Sequence, residues 1–277
     1  MPAPPRVRLD ELVVLRGLAP TRSAARALIM AGLVMVEGEL SDKAGTPVAM
    51  EAGVTVKERP RFVSRGGEKL DRALRVFDVD VSGLSVLDVG ASTGGFVDCL
   101  LQAGAARVIA LDVGRGQLDS RLRNDQRVFV LEKTNARYLK PSDLPFVPQF
   151  LTMDVSFISV EKILPAVMDC MSPVCSAVIL VKPQFEAGPR QVGKGGIVRS
   201  PAVHQWVLTR LVHFVVSDLR VDVLGVTDSG LPGTDGNIEY FLHIGRGGEK
   251  GHRLDTLEAL IDAAVARVMD TPMTDGA

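Results

Sequence analysis

The sequence predicts an α/β fold with a mostly parallel central sheet, preceded by a small α+β domain. From Leu84 onward, short and nearly continuous apolar runs alternate with helical stretches. Strands that are covered on both faces by crossover helices have this pattern. Before that point the pattern is different, with two short helices followed by short strands. A chain of 277 residues is long enough for these two domains.

The small domain begins with two predicted helices. The first runs from Leu9 to Arg16, and Thr21 is placed to cap a second one from Ser23 to Ala31. The segments that begin at Leu33 and Val54 predict strands. The predicted boundaries are residues 1–58 for this domain, 59–66 for a basic, glycine-bearing linker and 67–277 for the larger domain.

Four apolar runs and a late hairpin make up the predicted sheet. The runs are Ser85-Val-Leu-Asp-Val, Arg107-Val-Ile-Ala-Leu-Asp, Phe150-Leu-Thr-Met-Asp and Ala177-Val-Ile-Leu-Val-Lys. The segments Val221–Val226 and Ile238–Ile244 are separated by a Gly/Pro/Asp loop, which predicts a hairpin that closes one edge of the sheet. Apolar residues at helical spacing predict a final helix over Leu254–Met269.

Charge is unevenly distributed along the chain. Residues 1–72 carry 12 Lys and Arg against 9 Asp and Glu, whereas the whole chain has a net charge of −1. Contacts with nucleic acid are therefore expected near the front of the chain.

The cysteine pattern and the hydropathy exclude some classes of protein. Cys99, Cys170 and Cys175 form no CxxC pair and have no neighbouring histidine cluster, so we expect buried thiols and no metal site. No apolar run approaches the ~18 residues of a membrane span, so we expect a cytoplasmic protein without a membrane partner.

A glycine-rich turn follows the first strand of the larger domain, in the run Val86-Leu-Asp-Val-Gly-Ala-Ser-Thr-Gly-Gly-Phe. Glycine lets the backbone approach a ligand closely. Asp112 ends the next strand, where a carboxylate can accept hydrogen bonds from both ribose hydroxyls of an adenosine. The run lacks the GxGxxG spacing for a pyrophosphate, so it favours S-adenosylmethionine over a nicotinamide dinucleotide.

Four charged residues stand where ligands gather in such a fold. Asp154 and Lys182 each end a strand, Glu239 lies in the late hairpin, and Lys69 lies where the two domains join. Two lysines and two carboxylates in apolar surroundings can neutralise one another. A purely structural ion-pair network is the alternative interpretation.

Taken together, these segments resemble the TlyA family, also called haemolysin A or rRNA 2′-O-methyltransferase. The resemblance extends from residue 6 to residue 245 through SRGGEKL, DVGASTGGF, LDVGRGQL, LEKTNAR, MDVSFIS, LVKPQFEAG, QVGKGGIV and GNIEYFL. It implies a Rossmann-like class I methyltransferase sheet of the FtsJ type, with a site formed by a lysine-aspartate-lysine-glutamate tetrad. Lys69, Asp154, Lys182 and Glu239 stand in that order.

The resemblance also implies the reaction and the residues that serve it. A methyl group would pass from S-adenosylmethionine to a ribose 2′-hydroxyl, with cytidine in small- and large-subunit ribosomal RNA as the target. Lys182 would remove the hydroxyl proton or position the hydroxyl, while the two carboxylates orient the lysines. The implied cofactor-binding residues are Gly90, Ser92, Thr93, Gly95, Phe96, Asp112, Asn135 and Asp154. Asn237 suits contact with the substrate or support of its loop equally well.

The small domain resembles the αL RNA-binding module that is named after a ribosomal small-subunit protein. The predicted phosphate contacts are Arg6, Arg8, Arg16, Arg22 and Arg26, with Arg61 and Arg65 added by the linker. Three alternative functions are a non-enzymatic ribosome assembly factor, a haemolysin and a pseudouridine synthase. The charged tetrad argues against the first, the absence of a spanning segment against the second, and the adenosine motif against the third.

Overall fold

The computed structural model describes residues 5–57, 60–233 and 235–269. The chain divides into two compact units, Met1–Pro60 and Arg61–Ala277. Residues 61–66, which the sequence analysis assigns to a linker, belong to the second unit. The reason is Phe62, whose ring is buried against Gly67.

The first unit is a small α+β domain. Its elements are β1 (Arg6–Arg8), α1 (Leu9–Leu15), α2 (Arg22–Met30), β2 (Val34–Val36), β3 (Glu39–Leu40), β4 (Pro47–Ala49) and β5 (Val54–Val56). β2 pairs antiparallel with β3 and β5, and β1 pairs antiparallel with β4. Leu9, Leu12 and Ile29 form the centre of the core between the helices and strands.

Both predicted helices of this unit are present, with ends shifted by one residue. The hydroxyl of Thr21 accepts a hydrogen bond from the Ala24 amide at 3.1 Å, which confirms the predicted cap. The strands β1 and β4 were not predicted. Each has only three residues, too few to show an alternation of apolar and polar side chains.

The second unit alternates strands and helices. Its strands are β6 (Ser85–Val89), β7 (Arg107–Leu111), β8 (Val128–Leu131), β9 (Phe150–Met153), β10 (Cys175–Val181), β11 (Asp222–Asp228) and β12 (Tyr240–Arg246). Its helices are α3 (Arg65–Val76), α4 (Gly95–Gln102), α5 (Ser120–Arg123), α6 (Leu164–Asp169), α7 (Pro183–Glu186), α8 (Pro201–His213) and α9 (Leu254–Met269).

The seven strands form one sheet in the order β11-β12-β10-β9-β6-β7-β8. β10, β9, β6, β7 and β8 pair in parallel, and β12 pairs antiparallel with both β10 and β11. The predicted parallel sheet with a hairpin at one edge is therefore confirmed. Two apolar clusters cover its two faces.

The order of the strands reverses next to β6. The chain leaves β6 for β7 and β8 on one side, and then returns to β9 on the other side. In open α/β sheets such a point leaves a crevice at the carboxyl ends of the strands, where ligands bind. Gly90 and Asp154 directly follow β6 and β9, so both lie at this crevice.

The hairpin register brings two distant parts of the chain to the same end of the sheet. Val181, the last residue of β10, pairs with Tyr240, the first residue of β12. Lys182 and Glu239 are the next residues outward on these two strands, so they are neighbours.

The three cysteines are free and buried, as the sequence analysis expects. Among the residues that the structure describes, no helix has both the length and the apolar character needed to cross a bilayer.

The contact between Phe62 and α3 gives a stability prediction. A Cβ atom at Gly67 would lie 2.3 Å from Phe62 Cγ, whereas a Cβ at the adjacent Gly66 would have its nearest neighbours at 3.5 Å. We expect Gly67→Ala to lower the free energy of unfolding of the second unit by about 1–3 kcal/mol through overpacking. Gly66→Ala should change it by less than about 1 kcal/mol.

Urea unfolding followed by tryptophan fluorescence tests this prediction. Trp206 is the only tryptophan of the chain and lies in α8, so its signal reports on the second unit. Equal midpoints for the two variants would show that Phe62 yields without cost.

Candidate active site

A cavity of about 460 Å³ opens at the carboxyl ends of β6, β9 and β10. Lys69, Asp154, Lys182 and Glu239 all line it, although they come from four different elements. Lys69 comes from α3, Asp154 and Lys182 directly follow β9 and β10, and Glu239 directly precedes β12. The structure thus brings the four together, and their individual roles stay a prediction.

These residues form two ion pairs. Lys69 Nζ donates a hydrogen bond to Glu239 Oε2 at 2.6 Å, and both side chains are at least nine-tenths buried. Lys182 Nζ lies 2.5 Å from Asp154 Oδ1, an ion pair without the alignment of a hydrogen bond. Side-chain exposure in this second pair is 14% for the lysine and 27% for the aspartate. The first pair is therefore sealed within the protein, and the second faces the opening.

Lys182 has one further partner, which the sequence analysis missed. Its Nζ donates to Ser156 Oγ at 3.1 Å. Ser156 lies two residues after Asp154 within MDVSFIS. Its position just beyond the end of a strand is the one feature of the sequence that could have marked it as a site residue. The lysine is thus held between a carboxylate and a hydroxyl on the same loop.

A second cavity, of about 450 Å³, adjoins the first. The two share Gly90, Ser92 and Asp154 in their walls. Asp112 and Asn135, both predicted to bind the cofactor, line the second cavity. The crevice is therefore divided into two compartments by the glycine-rich turn.

The carboxylate of Asp112 is fixed by the backbone. Its two oxygens accept hydrogen bonds from the amides of Ser92 at 2.8 Å and Gly114 at 2.6 Å. Each carboxylate oxygen has a second lone pair, so the group can still accept bonds from a pair of hydroxyls. The Asn135 side-chain oxygen accepts from the Arg137 amide at 3.0 Å and begins a short 3₁₀ helix.

The remaining predicted cofactor residues line the first cavity. They are Thr93, Gly95 and Phe96, with Ser92 shared between the two cavities. The glycines of this turn are required for packing. A Cβ at Gly90 would lie 2.1 Å from the Asp154 carbonyl oxygen, and a Cβ at Gly95 would lie 2.2 Å from Ser64 Oγ. Because packing alone explains these glycines, glycine content by itself is not evidence for a ligand here.

Asp88 lies in the strand just before this turn, and its carboxyl group is fully buried. Thr152 Oγ1 donates to one oxygen at 2.7 Å, and the other oxygen has no partner among the described residues. Burial raises the pKa of Asp88 to about 7, and the Thr152 hydrogen bond only partly opposes this shift. The carboxyl group is thus largely protonated in the folded protein below neutral pH.

The cavity walls also include glycine and polar residues that no sequence motif predicts as part of the site. Ser64 and Gly66 line the first cavity from the start of α3. Gly233 lies so near Glu239 that a Cβ would come within 2.6 Å of its Oε1. A lone glycine in a Gly/Pro/Asp loop belongs to no pattern, and only the tertiary contact shows why it is needed. Within the described ranges, no group of three His, Cys, Asp or Glu residues could hold a metal ion.

Three of the five predicted RNA-binding arginines of the first unit surround one buried carboxylate. Arg8 donates twice to Asp10 at 3.0 Å, Arg22 donates once at 3.2 Å, and Arg26 lies 4.0 Å away. The Arg8 hydrogen bonds lower the pKa of Asp10 to about 2, against the effect of burial. The three guanidinium groups are half exposed, so they form a cationic surface with one built-in counterion.

The other predicted RNA-binding arginines lie apart from this cluster, each with different contacts. Arg16 donates to the Met50 carbonyl at 3.0 Å, and Arg6 lies in β1. Arg61 pairs with Asp71 at 3.0 Å and lies over the Phe62 ring. Arg65 is exposed and lines the first cavity.

The fold and the site define a Rossmann-like methyltransferase. Comparison with known proteins agrees: the FtsJ-like methyltransferase family matches residues 62–246, and the S4 domain family matches residues 7–54. The 16S/23S rRNA (cytidine-2′-O)-methyltransferase TlyA of Mycobacterium tuberculosis (strain H37Rv) is 43% identical, over 94% of this chain and 98% of that protein. Hemolysin A of Brachyspira hyodysenteriae is 40% identical, over 86% of this chain and 99% of that protein.

A solved structure of similar extent exists. It is a protein of Streptococcus thermophilus that is provisionally named a hemolysin, with 41% identity, a TM-score of 0.71 and coverage of 95% of this chain and 96% of that one. The chain therefore belongs to the FtsJ-like methyltransferase family and, within it, to the group that includes TlyA and hemolysin A.

The buried Asp88 gives a prediction about stability and pH. An unfolded chain ionises this carboxyl group near pH 4, roughly the value of free aspartate, whereas the folded protein keeps the proton up to about pH 7. The unfolded state thus binds fewer protons across this window, so the Asp88 contribution to the free energy of unfolding falls as pH rises. Asp88→Asn cannot ionise, and it should gain stability relative to wild type as pH increases from about 4 to about 7.

Urea unfolding at several pH values within this window measures the difference between the two proteins. Asp169→Asn, at an exposed position that ends α6, is the matched control and should run parallel to wild type. Parallel curves for Asp88→Asn as well would show that the buried carboxyl group ionises normally.

Proposed function

We propose that this chain transfers the methyl group of S-adenosylmethionine to the ribose 2′-hydroxyl of a cytidine in ribosomal RNA, within ribosomal subunits. One observation carries the proposal. The two lysine-carboxylate pairs meet in a cavity that shares Gly90 and Ser92 with a second cavity lined by Asp112. The name of the Mycobacterium tuberculosis relative, with 98% of its length matched, supports this substrate in both subunits.

The residues present fit S-adenosylmethionine. The second cavity is lined by Asp112 for the ribose hydroxyls and by Asn135 and apolar side chains for adenine. The first cavity, with Thr93 and Gly95, suits the methionine end. S-adenosylmethionine contains no pyrophosphate, so neither compartment needs a phosphate-binding site. When bound, this cofactor supplies a methyl group on a positively charged sulfur.

The tetrad would prepare the hydroxyl of the substrate. A ribose hydroxyl is a weak nucleophile until its proton is removed or shared. Lys182 Nζ is the more accessible amine, and its partners Asp154 and Ser156 hold it at the opening. It either accepts the hydroxyl proton or donates a hydrogen bond that positions the oxygen.

The buried pair Lys69–Glu239 forms the inner wall of the same cavity. The opposite charges of Lys69 and Glu239 cancel, so this pair adds no net charge to the wall of the cavity where the substrate oxygen would react. Alignment of the oxygen with the methyl group then accounts for much of the acceleration.

Incubation of purified small and large ribosomal subunits with the protein and radiolabelled S-adenosylmethionine tests the proposal. Label should enter ribosomal RNA, and nucleotide mapping should place it on the 2′-oxygen of cytidine. Association with subunits without any transfer would favour the assembly-factor interpretation. Dye release from liposomes would favour a haemolysin. A cytoplasmic location stays a prediction.

The position of Lys182 gives a prediction for catalysis. Lys182→Ala should lower the single-turnover rate of methyl transfer by about 10²–10⁴-fold, the usual contribution of a positioned acid-base group. Affinity for S-adenosylmethionine, measured by calorimetry, should stay close to that of wild type, because Asp112 and the glycine-rich turn are untouched. Lys250→Ala, at an exposed site beyond the other end of the sheet, is the control. Equal rates for the two variants would remove Lys182 from the reaction.

The pH dependence separates the two roles of Lys182. If Lys182 is the base, the single-turnover rate of the wild type should rise with pH until the amine is mostly neutral. A rate that is flat, or that falls at high pH, would assign it to positioning through its charged form. The measurement requires conditions in which chemistry, and not RNA binding, limits the rate.

A further inference from the structure

A strongly basic loop, residues 188–199, follows α7 at the active-site end of the sheet. Its three cations, Arg190, Lys194 and Arg199, are all exposed. No aspartate or glutamate occurs in the sequence between Glu186 and Asp218. Across the described part of the chain, no carboxylate lies within 4.0 Å of these three side chains. The basic loop therefore carries three positive charges without counterions.

This charge contrasts with the surrounding unit. The chain as a whole has 32 Lys and Arg against 33 Asp and Glu, and many cations of the second unit lie against a carboxylate. Arg121, Arg123 and Arg127, for example, each lie within 4.0 Å of a carboxylate. Three unpaired like charges within ten residues add their fields and so attract a polyanion.

Hydrogen bonds fasten the basic loop beside the catalytic cavity. Asn237 is buried, and its side chain donates to the Gly196 carbonyl at 3.0 Å and accepts from the Val198 amide at 3.1 Å. The carbonyl of Asn237 in turn accepts from the amide of Gly233, which lines the cavity. These bonds give Asn237 a loop-supporting role.

The tip of the basic loop is open. Gly195 and Gly196 both have φ near +80°, and an added Cβ at either position would meet nothing within 4 Å. The left-handed backbone, and not packing, requires glycine here. The loop thus presents backbone and cations without covering side chains, while Arg65 lies at the cavity wall on α3.

We propose that the basic loop binds the phosphate backbone of RNA next to the target ribose, as a second RNA-binding surface besides the arginines of the first unit. The inference rests on the proposed function, because a ribose held in the cavity necessarily carries phosphates on both sides. Cations beside the cavity are then placed to meet these phosphates. RNA contacts would therefore not be confined to the front of the chain, as the charge distribution alone predicts.

Salt dependence of RNA binding tests this surface. The loop variant combines Arg190→Gln, Lys194→Gln and Arg199→Gln. The control variant combines Arg220→Gln, Lys250→Gln and Arg253→Gln, the same residue types at exposed positions beyond the opposite end of the sheet. Affinity of the full chain for a small-subunit ribosomal RNA transcript is measured over a range of salt concentrations.

The two variants should behave differently. Each lost phosphate contact reduces the slope of log affinity against log salt concentration by about 0.7–0.9. We therefore expect the magnitude of this slope to fall by about 2 in the loop variant, which should also bind RNA more weakly at low salt. The control variant should stay close to wild type. Affinity for S-adenosylmethionine and the melting temperature should stay unchanged in both. An unchanged slope in the loop variant, equal losses in both variants, or no RNA binding by wild type would overturn the inference.

A methylation assay on the same proteins separates this inference from the proposed function. Wild type that transfers methyl groups, with a loop variant that binds and reacts equally well, would refute the loop and keep the function. A slope that depends on the loop in a wild type that transfers no methyl group would refute the function and keep the loop as an RNA-binding surface.

Discussion

The site depends on the mutual neutralisation of two lysines and two carboxylates, of which one pair is buried and the other lies at the cavity opening. An unpaired buried charge costs several kcal/mol, on the order of what a domain has in total stability. Burial of Lys69 is therefore offset by its ion pair with Glu239, and Lys182 is neutralised by Asp154. Lys69 and Glu239 are 170 residues apart in sequence, so both ends of the second unit must be folded before this pair forms.

The topology of the sheet meets this requirement. Reversal of strand order next to β6 leaves the crevice, and the antiparallel β12 brings Glu239 to the end of β10, where Lys182 lies. The tight turn after β6 places the Gly90 Cα against the Asp154 carbonyl, so that both compartments of the crevice have a common wall. Packing thus requires glycine at this point of the turn.

Cations outside the cavity are arranged in two ways. In the first unit, Asp10 lies beneath three arginines and holds their guanidinium groups in place at the cost of part of their charge. Among the described residues, the basic loop of the second unit has no such counterion within 4.0 Å of its cations. The arginines around Asp10 are held in fixed positions, whereas the cations of the basic loop keep their full attraction for phosphates. Together the two surfaces suit a long polyanion that is held at one reactive sugar.

Local periodicity in the sequence determined the parallel sheet, the late hairpin, the capped helix after Thr21 and the helix Leu254–Met269, because apolar spacing and caps act within a few residues. Motif resemblance also selected the four charged residues of the cavity. Only the tertiary structure decided which lysine pairs with which carboxylate, that Phe62 belongs to the second unit, and that Asn237 holds a loop. These features depend on distances between segments up to 170 residues apart, which no local pattern encodes.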